Sequence, residues 1–189
     1  MNYSQIKMAL VDFDGTLVDS TGCWVEAYQL LCETKSIQPL KTVIDSFNQI
    51  DFTKWQELIF AQVGECNDEL IECAKTTFAK RSPKQQVFAI INSLSNDCHI
   101  SVISNEPNEL IEHWLSAYKF KVFSSINIVL GDRDSPDFYK RGGLLLIDDN
   151  YKHCLAAKLA NASVIGVNDY HTKERKTQMR EVCNMYIDN

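Results

Sequence analysis

The sequence predicts an α/β fold: an open parallel sheet with helices on both faces, interrupted after its first strand by a helical bundle. Three observations predict it. Short apolar runs without alternation recur along the chain, as strands buried on both faces require. From Ser82 onwards these runs alternate with segments of helical spacing. Between the first run and that alternation, Ser20 to Arg81 shows helical spacing only. The expected organisation is one α/β domain over residues 1–19 and 82–189, with residues 20–81 inserted as a helical unit.

The first strand is read from Ile6 to Phe13, around the apolar core Met8-Ala9-Leu10-Val11. In the insertion, apolar residues recur at helical spacing: Trp24, Tyr28, Leu31; Val43, Ile44, Phe47; Trp55, Leu58, Ile59; Leu70, Ile71, Ala74, Phe78. They predict three or four short helices, with Trp24 and Tyr28 as packing residues. Ser82-Pro83 reads as a helix start, Ser capping and Pro in the first helical position. That helix turns Val87, Ile90, Ile91 and Leu94 inward. His99 to Ile103 is the next strand. Asn105-Glu106-Pro107 opens a helix that buries Leu110, Ile111, Trp114 and Leu115. Strands follow at Ile126–Leu130 and Leu144–Ile147, then a helix from Tyr151 to Leu159. Ser163 to Val167 reads as the last strand, and Thr172 to Met185 as a terminal helix.

Composition narrows the function. With 189 residues, 45% hydrophobic and 23% charged, the chain can bury a sizeable core, which excludes a disordered tail or a coiled coil. The net charge of −6 supplies no global basic field for nucleic acid or an anionic membrane. No apolar run approaches the roughly 18 residues of a membrane span. Met1 to Lys7 is polar and lacks the apolar stretch of a signal peptide, so a cytoplasmic location is expected. The seven cysteines make no C-x-x-C pair, and the four histidines make no zinc spacing with them. Reduced, mostly buried thiols are expected.

In a parallel sheet, chemistry gathers beyond the carboxyl ends of the strands. The first strand ends in Asp12-Phe13-Asp14-Gly15-Thr16. Strand alternation places Asp12 and Asp14 on one side and Phe13 on the other, and Gly15 permits a sharp turn. The strand through Leu144–Ile147 ends in Asp148-Asp149, and the one before Asn105 ends in Ser104. Several carboxylates at one edge cannot all stay ionised without a counter-charge. A hard divalent cation with oxygen ligands solves this, Mg²⁺ being the usual one beside phosphate. Lys140, upstream of the Asp148 strand, offers a fixed positive charge. Singly, each feature has a plain structural reading: Asp-x-Asp-Gly as a turn, Asp148-Asp149 and Ser104-Asn105 as helix caps, Lys140 as a solvated surface residue. The combination is more specific than any member.

With these residues in view, the chain resembles the haloacid dehalogenase superfamily of phosphatases. The first motif stands as V-D-F-D-G-T-L-V-D-S, Val11 to Ser20; the second as V-I-S-N, Val102 to Asn105; the fourth as L-L-I-D-D-N, Leu145 to Asn150. Lys140 is taken as the lysine of the third motif, with Arg133 the fallback cation. The short link from Lys140 to Asp148 looks like the deoxyribonucleotidase branch and tilts the substrate towards nucleotides. The resemblance implies a Rossmann-like core and, for residues 20–81, a small helical cap that closes over the site.

The resemblance further implies hydrolysis of a small phosphorylated metabolite or nucleotide through an aspartyl-phosphate. Asp12 is the implied nucleophile and Asp14 the general acid and base. Mg²⁺ is implied on Asp12, the Asp14 backbone carbonyl and Asp148, with Asp149 as a supporting carboxylate. Ser104, the Asn105 backbone N–H and Lys140 hold the phosphoryl oxygens, while Gly15 and Thr16 support the loop. Asp19, Ser20 and Trp24 are candidates for substrate contact. A phosphomutase shares the fold, as does a dehalogenase, which Asp14 disfavours because carbon–halogen displacement needs no acid there. A non-catalytic protein that binds a phosphorylated ligand is the alternative from another class, and a receiver-type signalling domain lacks the inserted bundle.

Overall fold

The first strand, β1 (Met8–Asp12), pairs in parallel with two others, as its doubly buried apolar run requires. The computed structural model describes residues 5–47, 49–94, 98–119, 125–128, 132–168 and 175–188, with 125–128 as backbone only. The chain forms two compact units, residues 1–19 with 82–189, and residues 20–81.

The first unit is a sheet of order β3-β2-β1-β4-β5-β6, in which every pairing is parallel. Its other strands are β2 (His99–Ser104), β3 (Ser125–Ile128), β4 (Leu144–Asp148), β5 (Ser163–Val167) and β6 (Met185–Ile187). Ala9, Val11, Val102, Leu145, Ile147, Val164 and Ile165 are inaccessible to solvent, which makes β1 and its neighbours the core. A right-handed crossover from β1 to a parallel neighbour needs a long connection, and the helices between strands provide it. The positions of β3 beyond Ile128 and of the tail over 172–174 lie outside the described residues.

The second unit contains α1 (Cys23–Thr34), α2 (Lys41–Ser46), α3 (Phe52–Val63) and α4 (Asn67–Phe78). Aromatic rings hold it together. Trp24 meets Phe52 at 4.6 Å and Phe78 at 5.9 Å between centroids. Trp55 is buried and donates its indole N–H to the Val43 carbonyl at 2.8 Å. Tyr28 is buried and its hydroxyl accepts the Leu40 N–H at 2.8 Å. Trp24 and Tyr28 therefore pack within this unit, as their spacing predicts.

Two local expectations are corrected. The helix after the insertion, α5 (Gln85–Ser93), starts later than Ser82-Pro83. Pro83 instead bridges Val18, and Lys84 donates its N–H to the Leu17 carbonyl at 2.8 Å, so tertiary pairing extends these residues and delays the helix. The terminal helix, α8, covers only Lys176–Val182, and Met185 opens β6. Asn184 makes this turn: its N–H donates to the Val164 carbonyl at 2.8 Å and its side chain accepts the Val164 N–H at 2.9 Å. Two further helices, α6 (Asn108–Ala117) and α7 (Tyr151–Leu159), lie where the spacing places them. All seven cysteines are free thiols, and no helix among the described residues is long and apolar enough to cross a membrane.

Gly166 on β5 lets α8 and β6 approach closely. A Cβ there would lie 2.7 Å from Cys183 Sγ, 2.9 Å from Met179 Cε and 3.0 Å from Tyr186 Cδ2. Gly166→Ala is expected to destabilise the protein by roughly 1–3 kcal/mol through overpacking, read as a lower urea midpoint; an unchanged midpoint would refute this packing.

Candidate active site

Strand register sets the site. Asp12 pairs with Ile103 on β2, and the preceding residue Val11 pairs with Ile147 on β4. Asp12 and Asp148 therefore stand at the same level on neighbouring strands, at the carboxyl edge. Ligand oxygens of Asp12, Asp148 and Asp149 all lie within 4.8 Å of one another. Asp12 and Asp148 are buried and Asp149 is half-buried.

Beyond Asp12 the chain folds back on itself. The Leu17 and Val18 N–H groups both donate to the Phe13 carbonyl, at 2.9 and 3.2 Å. Gly15 takes φ 69°, a left-handed conformation that costs glycine little. Phe13 is fully buried edge-on against Trp114, at 5.3 Å and 84°, which anchors the side of the loop away from the carboxylates. Asp14 is half-buried. Thr16 is fully buried and its hydroxyl donates to Asp149 Oδ1 at 3.3 Å, so it supports the second acidic pair as well as the turn. Lys84 adds a brace that the sequence did not signal, donating to the carbonyls of Gly15 at 2.5 Å and Asn168 at 2.9 Å.

The cation at the cluster is Arg133. One of its Nη nitrogens donates to Asp12 Oδ1 at 2.9 Å and to Asp148 Oδ2 at 2.5 Å, with the side chain 6% exposed. The structure does not bring Lys140 there. Its ammonium pairs with Asp137 at 2.5 Å, and the two side chains are 67% and 78% exposed. The cause is chain direction. A 3₁₀ turn, Pro136–Tyr139, carries the chain away from Arg133 and back to the start of β4. The Gly143 carbonyl then accepts the N–H groups of Lys7 and Met8, at the start of β1. Lys140 is thus beside the amino edge of the sheet, and a five-residue strand of roughly 3.3 Å per residue separates that edge from Asp148. A cation that precedes the turn stays on the carboxyl edge, and that directional signal could have singled out Arg133.

Asp148 receives donors from three sides. Besides Arg133, it accepts the Asn150 N–H on Oδ1 at 2.8 Å and faces His153 Nδ1 at 3.1 Å from Oδ2 and 3.3 Å from Oδ1. Ser104 is buried at the end of β2, and its hydroxyl oxygen accepts the Glu106 N–H at 3.0 Å, which leaves its own hydrogen for another acceptor. Asn105 follows it and is exposed.

The electrostatics call for more positive charge. Burial, reinforced by the neighbouring Asp148 charge, pushes Asp12 up to about 8, and Arg133 offsets this only in part. Burial opposes the Arg133 charge, yet Asp12 and Asp148 outweigh it and hold the guanidinium above its ordinary value. Among the described residues, Arg133 Nε is buried without a hydrogen-bond partner, and the buried Tyr139 hydroxyl faces the Arg133 guanidinium. Three carboxylates against one guanidinium fit a small oxygen-seeking cation, and the Nε–H fits an oxyanion.

Residues 9–136 match the family model of haloacid dehalogenase-like hydrolases. No curated protein sequence matches the chain. Among solved structures, CbbY from Rhodobacter sphaeroides, in complex with phosphate, has a TM-score of 0.69 at 14% identity, covering 97% of this chain and 94% of its own. The haloacid dehalogenase-like protein SP0104 from Streptococcus pneumoniae has a TM-score of 0.65 at 13% identity, with coverage of 97% and 94%. YfnB from Bacillus subtilis, bound to magnesium, has a TM-score of 0.61 at 14% identity, with coverage of 87% and 88%. At these identities the likeness shows the shared fold.

Burial, then the Asp148 charge, pushes the Asp12 carboxyl up to about 8, well above its ordinary 3.8. The folded state therefore holds the proton more tightly, so this group's contribution to stability is present at low pH and lost as pH rises through about 8. Asp12→Asn removes that loss. In metal-free buffer it is expected to exceed wild type by on the order of 1–2 kcal/mol at about pH 9, with the gain shrinking towards about pH 5. Urea melts at the two pH values check this, and a gain that does not grow with pH contradicts it.

Proposed function

The chain belongs to the haloacid dehalogenase-like hydrolases, and from that premise we propose that it hydrolyses a small phosphomonoester through a phosphorylated Asp12, with Mg²⁺ as cofactor. The observation that carries the reading is the convergence of Asp12, Asp148 and Asp149 around the buried Arg133.

In this reading a carboxylate oxygen of Asp12 attacks phosphorus, and the bond to the leaving oxygen breaks. Asp14, two residues on and half-buried, gives that oxygen its proton. It then takes a proton from the water that cleaves the acyl-phosphate, which restores both carboxyls. Arg133 takes the cation role first assigned to Lys140. It neutralises the Asp12–Asp148 pair and offers N–H donors to the phosphoryl oxygens as charge builds on them. The Ser104 hydroxyl and the Asn105 N–H supply further donors at the adjoining strand end.

Asp12, the Asp14 carbonyl and the acidic pair Asp148-Asp149 would hold the Mg²⁺. When bound, the ion would supply double positive charge that offsets the carboxylates and the anionic phosphoryl group. Within the acidic pair, the bonding pattern favours a division of labour. Asp148 already receives Arg133, His153 and the Asn150 N–H, and so anchors the guanidinium. Asp149, which accepts the Thr16 hydroxyl and is half-buried where Asp148 is fully buried, is the more accessible ligand of the two. CbbY with phosphate and YfnB with magnesium support an anion and a metal in this fold.

Turnover of p-nitrophenyl phosphate is expected to require Mg²⁺ and to fall by at least about a thousandfold in Asp12→Asn. Arg133→Met should lose on the order of a hundredfold in kcat, whereas Lys140→Ala stays within about twofold of wild type, as an exposed ion pair allows. Full activity of Asp12→Asn, or a larger loss at Lys140 than at Arg133, would overturn the reading. Asp149→Asn should raise the Mg²⁺ concentration needed for half activity more than Asp148→Asn does; the reverse order returns the ligand role to Asp148.

A further inference from the structure

One part-buried contact of this cluster has no part in the proposed reaction. His153 lies in the first turn of α7, where a helical side chain leans back towards the helix start. That lean carries the ring to Asp148, on the strand before the helix. Nδ1 stands 3.1 Å from Asp148 Oδ2 and 3.3 Å from Oδ1. A carboxylate accepts and does not donate, so the hydrogen is assigned to Nδ1. On the other side of the ring, Nε2 is 3.7 Å from Asp134 Oδ1, and Lys152 Nζ is 3.4 Å from Asp134 Oδ2. The His153 side chain is 17% exposed and Asp148 is fully buried. Contacts thus run from the half-buried His153 through Asp148 and Arg133 to Asp12, with Asp134 facing the outer side of the ring.

Arg133 meets Asp12 Oδ1 and Asp148 Oδ2 with one nitrogen. The Asn150 N–H holds the other Asp148 oxygen, Oδ1. The His153 Nδ1–H faces both oxygens from α7 and adds a third donor that holds the carboxylate against Arg133.

We infer that His153 is a positioning residue, which sets the Asp148 carboxylate so that Arg133 stands against Asp12. For its kinetic readout this rests on the phosphatase reading above, and for its structural readout it does not. Partners at this remove from a reacting group are commonly worth about 10–100-fold in activity.

The test compares His153→Ala with His153→Gln, whose side-chain amide keeps an N–H donor. With p-nitrophenyl phosphate and saturating Mg²⁺, His153→Ala is expected to lose about 10–100-fold in kcat with KM within about threefold, and His153→Gln to recover most of the loss. Equal losses in the two variants, or a wild-type kcat in His153→Ala, overturn the inference. The second readout is the nitrogen-15 spectrum of the Arg133 guanidinium, assigned by its disappearance in Arg133→Lys and recorded without metal or substrate. Its hydrogen-bonded N–H signals are expected to lose protection from exchange in His153→Ala and to keep it in His153→Gln. Unchanged protection in His153→Ala overturns the inference even if no phosphomonoester is turned over. An inactive wild type, together with this loss of protection in His153→Ala, refutes the phosphatase reading and upholds the positioning role.

Discussion

Two carboxylates buried side by side are the constraint on which the rest of this molecule turns. Asp12 and Asp148 stand at the ends of neighbouring parallel strands, and the register of β1 with β4 leaves them no freedom to part. Burial and mutual repulsion disfavour their charged forms, and Arg133 relieves only part of that cost. A fold selected for stability alone would place apolar side chains there. Retaining the acids points to a functional demand at this strand edge, and in the proposed reading a metal ion completes the charge balance.

The surroundings are arranged around that unfinished balance. The turn after β1 is closed on the Phe13 carbonyl, wedged by Phe13 against Trp114, and braced by Lys84 on the Gly15 carbonyl. Thr16 ties the turn to Asp149, and His153 with the Asn150 N–H ties Asp148 to the start of α7. Loop, strand end and helix start are thereby cross-linked through the acidic side chains themselves, and the geometry is held before a substrate arrives. Preorganisation of this kind is what lets fixed charges act on a transition state without first reorganising.

Much of this was legible in the residues. The apolar run ending in Asp12-Phe13-Asp14-Gly15-Thr16 announces a buried strand with an acidic turn, and Leu144 to Asp149 announces a second one. Parallel pairing then brings the acids together with no further information. The break at Ser20 and Arg81 was equally visible, because strand-like runs stop between them, and the compact units divide there. What was hidden depended on direction or on distant partners. Lys140 looked suitable by its closeness in sequence to Asp148, but the 3₁₀ turn ahead of it reverses the chain, and Arg133 holds the place instead. His153 gave no sign, since a single histidine on a helix is unremarkable until its ring is seen on Asp148. β6 escaped because three edge residues carry too little pattern, and Pro83 misled because pairing with Val18 overrode its preference for a helix start.

The most direct test of the account is covalent. Turnover of p-nitrophenyl phosphate with Mg²⁺, stopped in acid and examined by mass spectrometry of the peptide carrying Asp12, should reveal one added phosphoryl group on that residue. The account predicts the adduct in wild type, at higher occupancy in Asp14→Asn, where the water step lacks its base, and none in Asp12→Asn. Phosphate release by a fully active wild type with no adduct at any quench time, or an adduct on another residue, would contradict it.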